Sequence, residues 1–412
     1  MLEVGEASAK ILDAISALDT ERVALENSAG LVLSNKVVAA TTVPPWDNSS
    51  MDGYAIRSTD VVSATKLKVV ATIAAGSIAS RPLGAGEAMR IMTGAPLPIG
   101  ADSVIRIEDT DGAGDRVTIR EFRDLQKNIR RAGEDFHVGD LLFEAGTEIR
   151  AAHLGVLAAA AIRNLDVHRR PRVAVISSGD ELVELRDYSD RVAGLKIVSS
   201  NSWTLPDLIR SAGAEVVDLG IATDDPASLR SKLQQTEECD LIITSAGVSV
   251  GDLDNVRSVF AELRGELVFW KVRMRPGAPM AFGMLRGTPW LGFSGNPVSA
   301  MVSFEVFGRP AIRKMLGHTK LHRVLIDVRL AENVETVAPL THFLRASISR
   351  GGDGALVARL AGSQSSAVLS AMARANALLI VPADHRSNPV GTTLRALPLS
   401  DDLLMSETFE IK

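Results

Sequence analysis

Between Asp240 and Asn255 the chain reads DLIITSAGVSVGDLDN, an order that few folds accommodate. Leu241, Ile242 and Ile243 are an unbroken run of strand formers, which predicts a strand buried on both faces. Thr244, Ser245, Ala246, Gly247, Ser249 and Gly251 then make a loop of small residues. Asp252 and Asp254 close the loop, and a helical pattern follows from Val256. Strand, small-residue loop and helix in succession bring backbone N–H groups close to an anion. Carboxylates at the end of such a loop suit a divalent cation held over a phosphate. A plain strand-to-helix connection has the same outline, so the loop alone indicates anion binding without establishing it.

The same alternation recurs on both sides of this stretch. Strands are predicted over residues 173–176, 216–219, 267–274, 280–284 and 290–293. Helices are predicted over 202–211, with Asn201 or Ser202 as cap, after Asp225-Pro226, and after Pro297. This is the pattern of a doubly wound α/β domain, assigned to residues 169–316. Ligands of such sheets lie beyond the carboxyl ends of the strands. The segments carrying Glu181, Asp224, Asp252 and Asn296 leave strand ends or the adjoining turns, so one shared site is expected.

The flanks are different in kind. Residues 1–168 begin with a predicted helix over 5–28 and a strand-like stretch at 37–43, and end with a helix over 151–161. Short strands at 67–73, 87–92, 103–107, 116–119 and 140–143 form a β-rich module inserted at about 45–145. In residues 317–412, strands at 324–330, 343–348, 355–360, 377–381 and 393–396, with a short helix at 367–373, suggest a small barrel or sandwich. The fold class expected is therefore multidomain, α/β plus β. A length of 412 residues agrees with about three domains.

Charge and composition exclude several functions. With 45 Lys and Arg against 50 Asp and Glu, the formal charge of −5 provides no field for nucleic acid. The single cysteine, Cys239, rules out an internal disulfide framework and a CxxC metal site, and reads as a small buried hydrophobe. The first ten residues lack the basic and apolar regions of a secretory signal. The longest near-apolar run, 151–162, contains His153 and is too short to span a bilayer. A cytoplasmic protein with neither nucleic-acid nor membrane partners is expected.

Four further strings carry chemistry. PPWDNSSMDGYA, residues 44–55, is a proline-stopped turn region, either a turn with an aromatic plug or a ligand-facing loop with Asp52 as its working carboxylate. MTGAPLP, residues 92–98, runs a strand into a turn at Thr93. RRAGEDF, residues 130–136, sets two arginines before a glycine turn and the acids Glu134 and Asp135, as either a phosphate grip or a solvated turn. FWKVRMRPG, residues 269–277, spaces Lys271, Arg273 and Arg275 by two, so a continuous strand points all three to one face. There is no HExxH, no Walker A lysine and no GxSxG elbow. The chemistry indicated is metal-assisted transfer or hydrolysis at a phosphate, without a covalent serine or cysteine intermediate.

Taken with SSGDEL (177–182) and SGNPVSA (294–300), these strings resemble the molybdopterin molybdenumtransferases of molybdenum-cofactor synthesis, which include the E domain of gephyrin. The resemblance runs through nearly the whole chain. It implies an elongated four-domain homodimer with a molybdopterin-binding α/β domain and a C-terminal β domain. Its sites lie between the α/β domain of one subunit and the N-terminal region of the other. It implies insertion of molybdate into adenylylated molybdopterin with Mg²⁺, hydrolysis of the adenylate and release of AMP. An adenylylating protein and molybdenum-enzyme acceptors are the further partners implied. By motif position the working residues are Asp52, Thr93, Asp135, Glu181, Asp224, Asp254, Lys271 and Arg275. Asp252, Asp254 and Glu181 are the implied Mg²⁺ ligands, and Lys271 and Arg275 the holders of molybdate or pterin phosphate. Ser245, Gly247, Ser249, Gly251, Arg273, Pro276, Gly277, Ser294, Gly295, Asn296, Pro297, Arg345 and Ser366 are the implied binding positions.

The chain departs from the family pattern at Arg275, where Lys is common, and at Ala278, where some members carry Lys. It departs also at Asp252 for Glu, Asn255 for a bulkier residue, Ser294 for Pro and Ser199 for Asp. Two other functions are compatible with parts of the pattern: ATP-dependent adenylylation of molybdopterin, and a scaffold role of gephyrin type.

Overall fold

The computed structural model describes residues 1–61, 65–112, 114–189, 194–246, 253–337, 339–401 and 405, and of residues 253–255 and 257 it describes the backbone alone. Its centre is a six-stranded sheet in the order Glu215–Ala222, Arg172–Ser178, Leu241–Ser245, Thr288–Phe293, Ala281–Leu285, Gly265–Trp270. The first four strands run parallel, and Ala281–Leu285 is antiparallel to both of its neighbours.

Sequence alternation distributes the side chains of the middle strands to two cores. Val173, Val175, Leu241, Ile243, Leu291 and Phe293 face one, with Leu205 and Ile209 of helix Asn201–Ser211. Ala174, Ile176, Ile242 and Trp290 face the other, with Leu233 of helix Pro226–Gln234 and Val256 and Phe260 of helix Leu253–Glu262. Each fully buried Val, Leu, Ile or Phe contributes about 1.5–3 kcal/mol. A strand covered on both faces therefore needs the continuous apolar run seen at 241–243. Helix Pro226–Gln234 starts as the sequence predicts, with Pro226 in its first turn and Asp225 accepting the Ala227 N–H at 3.0 Å.

The C-terminal unit is a closed five-stranded barrel. Its order is Thr341–Arg350, Leu356–Leu360, Ile326–Leu330, Thr393–Pro398, Ala377–Val381, and the last pairs again with the first. The two-residue strand Met274–Arg275 joins the barrel strand Thr341–Arg350 in parallel and so couples the barrel to the α/β unit. In the N-terminal region a five-stranded sheet runs Ser103–Arg106, Gly53–Ile56, Glu87–Ile91, Lys66–Ile73, Arg116–Thr118. Helix Ala151–Ala159 follows it. No helix of the described residues is long and apolar enough to cross a membrane.

Three expectations are corrected. The helix predicted over 5–28 ends at Asp13, and Thr20–Ala24 is a strand paired antiparallel with Asn164–His168. Its apparent apolar stripe serves two cores: Ile11 and Ile15 pack into the α/β core, and Val23 and Leu25 into one beneath Leu165 and Val167. The strand at 37–43 shortens to Val37–Val38, the stretch that finds a partner in Leu141–Phe143. The strand at 267–274 stops at Trp270. Lys271 has φ +77°, its N–H donates to Met280 O at 2.9 Å, and its carbonyl accepts the Leu2 N–H at 3.2 Å. Lys271, Arg273 and Arg275 therefore do not share the face of one strand.

Candidate functional site

Two cavities adjoin at the carboxyl ends of the parallel strands. The first, about 540 Å³, is walled by Ser178, Glu181, Ser199, Asn201, Ser245, Ser294, Gly295, Asn296 and Pro297. The second, about 810 Å³, lies between the 274–279 segment and the barrel, walled by Arg275, Pro276, Gly277, Glu335, His342, Arg345, Ser365 and Ser366. Pro279, Ser294 and Asn296 belong to both walls.

Asn201 organises the first cavity. Its Nδ2 donates to Ser245 Oγ at 2.5 Å and to Gly295 O at 2.8 Å, which pins two strand ends together. The side chain is buried, and among the described residues its Oδ1 has no hydrogen-bond partner. Sequence reasoning read Asn201 only as a helix cap. An asparagine at the first position of a helix that starts beside a strand end was the available signal. Ser199 joins Ser202 at 2.7 Å in a hydroxyl pair. Ser294 Oγ accepts the Asn296 N–H at 3.3 Å, which shapes the turn before Pro297 and its helix.

Of the acids expected to gather here, Glu181 stands exposed on the wall of the first cavity. A Cβ on Gly179 would lie 2.6 Å from Glu181 Oε2, so only glycine lets the carboxylate fold back there. Asp224 lines neither cavity. It forms a reciprocal pair with Asp180, the Asp224 N–H donating to Asp180 Oδ1 at 3.1 Å and the Asp180 N–H to Asp224 Oδ2 at 3.4 Å. Gly247, Ser249, Gly251 and Asp252 lie outside the described residues, as does the side chain of Asp254. Among the described residues no three His, Cys, Asp or Glu side chains cluster to hold a metal ion.

The cations divide. Arg275 is exposed and lines the second cavity, beside Pro276 and Gly277. Lys271 is half-buried and lines neither. Arg273 is taken up by structure: it pairs with Glu3 at 3.2 Å and donates to Pro339 O at 3.1 Å. Arg345 is fully buried in the barrel wall. Its Nη2 donates to Ser363 O at 3.0 Å and Ser365 O at 3.1 Å, while Nε and Nη1 find no partner among the described residues. Burial pushes its guanidinium below the ordinary arginine range. A buried cation with no carboxylate beside it among the described residues is costly, and a bound anion would compensate it. His342 and Glu335, on the same wall, are residues that sequence reasoning missed, because nothing in the sequence indicates that their segments fold over a cavity.

The remaining motif residues form a second constellation. Asp52 Oδ1 accepts both the Thr93 N–H at 2.7 Å and the Thr93 hydroxyl at 2.8 Å, and these bonds hold its carboxyl below the usual range. Asp47 accepts the Ala132 N–H at 2.9 Å and Arg131 Nη1 at 2.6 Å, which ties the 44–55 loop to the 130–136 turn. Asp135 is exposed on that turn, its N–H donating to Val43 O at 3.0 Å. Neither cavity is lined by Asp52, Thr93 or Asp135.

Comparison with known proteins agrees with this architecture. Residues 2–161 match the description "MoeA N-terminal region (domain I and II)", residues 174–314 "Probable molybdopterin binding domain", and residues 327–399 "MoeA C-terminal region (domain IV)". A molybdopterin molybdenumtransferase of Staphylococcus aureus (strain COL) is 34% identical over 412 residues, covering 98% of this chain and 97% of its own. Molybdopterin molybdenumtransferase 1 of Mycobacterium tuberculosis (strain CDC 1551 / Oshkosh) is 36% identical over 409 residues, covering 93% and 95%. A solved structure of a molybdopterin biosynthesis moea protein from Pyrococcus horikoshii superposes with a TM-score of 0.82 at 27% identity, over 97% of this chain and 99% of that one.

Proposed function

We propose a function on one premise: this chain belongs to the molybdopterin molybdenumtransferase family. It is a transferase that inserts molybdenum into molybdopterin. In our reading the substrate is adenylylated molybdopterin, and insertion proceeds with hydrolysis of the adenylate and release of AMP.

The observation that carries this reading is the junction of the two cavities at Ser294 and Asn296. One is walled by hydroxyl and amide groups suited to a polar heterocycle and its phosphate. The other is walled by the buried guanidinium of Arg345 and by the exposed Arg275, cations suited to a tetrahedral oxyanion. Arg345 and Arg275, with Ser366, orient molybdate. Ser245, Gly295, Asn296 and Pro297 orient the organic substrate, and Pro276 and Gly277 shape the passage between the two. Such positioning lets the dithiolene sulfurs meet the metal oxyanion without diffusing apart.

Magnesium belongs to the same reading. Glu181 offers the hard oxygen that Mg²⁺ prefers, and Asp252 and Asp254 are its proposed companions. The bound ion would supply charge neutralisation at the adenylate phosphate. Lys271 would act on that phosphate from the edge of the sheet, and Asp224 would face it from the rim.

We further propose a homodimer. Asp52, bonded to Thr93, and the exposed Asp135 line neither cavity of their own chain, and a second copy would supply them to the cleft. Cytoplasmic location, and docking of an adenylylating protein and of molybdenum-enzyme acceptors, follow from the same family reading. The test is incubation with adenylylated molybdopterin, Mg²⁺ and molybdate, with AMP and active cofactor measured. Molybdate-dependent AMP release is expected, and an intact adenylate after prolonged incubation overturns the proposal.

A further inference from the structure

His342 is not among the residues assigned above, yet it lies in the wall of the second cavity and is only 4% exposed. Its Nε2 is 2.8 Å from Val337 O. A carbonyl oxygen can only accept, so Nε2 carries the proton and Nδ1 of the neutral ring is an acceptor. Among the described residues no second hydrogen bond reaches the ring.

The charged groups around it are few. Arg275 stands level with it on the neighbouring strand, and Arg345 and Glu335 line the same cavity. Glu335 is engaged by the Ser387 hydroxyl at 2.6 Å. On the ring's other flank the ladder partner is Val381. Outside the cavity, Arg273 donates to Pro339 O and pairs with Glu3.

A fully deprotonated tetrahedral oxyanion presents acceptors only. Against a neutral His342 it would set lone pair against lone pair, with both groups desolvated. A proton on Nδ1 turns that contact into a charge-assisted hydrogen bond, and the negative charge of the anion favours the doubly protonated ring. We propose that His342 is a specificity-determining residue of the oxyanion cavity, taking up one proton from solvent when a fully deprotonated oxyanion binds and donating Nδ1–H to it. No bond of the anion breaks, and the proton comes from water or buffer. Binding of molybdate, tungstate and sulfate therefore depends on proton uptake. Hydrogen phosphate, which brings its own proton, shows the smaller dependence.

This inference rests on reading the cavity as the oxyanion site, and its test separates the two. Molybdate, sulfate and phosphate are titrated calorimetrically into the full chain in buffers of different ionisation enthalpy, for wild type, His342→Gln and Arg345→Met. The expected result is proton uptake approaching one per molybdate or sulfate in wild type at mildly alkaline pH. His342→Gln, whose amide keeps a donor for Val337 O, should bind without uptake. Equal uptake in wild type and His342→Gln, or binding to wild type with none, overturns the role of His342. Absence of anion binding to wild type, or binding to wild type and Arg345→Met alike, overturns the cavity reading instead. Should His342→Gln fail to fold, the ring resonances of His342 in isotopically labelled wild type decide it. They should shift to the imidazolium position on adding molybdate, and an unchanged spectrum at saturation refutes the proposal.

Discussion

Arg275 lies directly opposite His342, because the strand Met274–Arg275 extends the barrel sheet in parallel from the α/β side. That short ladder sets the second cavity, the proposed oxyanion site, between two folding units. One wall comes from the segment following the α/β edge strand Gly265–Trp270, the other from the barrel strand Thr341–Arg350 and the 363–366 segment packed on Arg345.

Arg345 is expected to oppose stability while serving binding. Arg345→Met removes a buried cation that no carboxylate balances, so unfolding free energy should stay level or rise by about 1–3 kcal/mol. AMP release at low molybdate should fall by at least about tenfold, the loss of one charge-assisted contact or more. Denaturant unfolding and the AMP assay, run on the same preparation, check both halves.

Thr93 keeps Asp52 ionised. Its two hydrogen bonds favour the carboxylate, so the folded pKa is depressed below the ordinary 3.8. The stabilisation is present above 3.8 and is lost as pH falls through the lower folded value. Thr93→Val removes the hydroxyl and leaves the N–H, so the Asp52 titration should move up towards 3.8 without reaching it. Carbon-detected NMR of the carboxyl measures the shift; no movement would mean that the hydroxyl bond is immaterial.

His318 predicts acid sensitivity. Burial, and then the neighbouring Arg313, lower its pKa from 6.5 to about 4. The unfolded chain binds the proton first, so stability present above 6.5 is lost as pH falls from 6.5 towards 4. After discounting for partial solvent screening, the loss is on the order of 1–2 kcal/mol. His318→Gln should flatten the dependence of urea-unfolding free energy between pH 7 and pH 5. An identical slope in both proteins would assign the acid sensitivity elsewhere.

Gly277 admits no side chain. Its φ is +99°, and an added Cβ would lie 2.8 Å from the Oγ of the fully buried Ser303. Gly277→Ala should cost about 1–3 kcal/mol, from positive-φ strain and overpacking together. Because Arg275 lies two residues away, the apparent affinity for molybdate should fall as well. Thermal melts and anion titration give the two readings.

What the sequence made legible follows from periodicity. The buried run 241–243 and the Pro-capped starts at 226 and 297 were readable because strand burial and helix capping are local decisions. The tail of the first helix was not, since Val23 and Leu25 answer to a core built from residues far along the chain. Lys271 misled for a related reason. Its regular spacing with Arg273 and Arg275 signals a strand, but the segment turns at Lys271, bonded to Leu2 and Met280, so that its continuation can reach the barrel. Arg345 emerged only through resemblance and His342 only through coordinates, because contacts between distant strands leave no mark in local pattern, whereas Asn201 was legible as a helix cap but not as the tie between two strand ends.

The two cavities share Pro279, Ser294 and Asn296 in their walls. A synthetic inhibitor need not fill either chamber well. Two weak fragments, a heterocycle in one and an oxyanion mimic in the other, joined by a short tether across Ser294, would gain from effective concentration what each lacks in contacts.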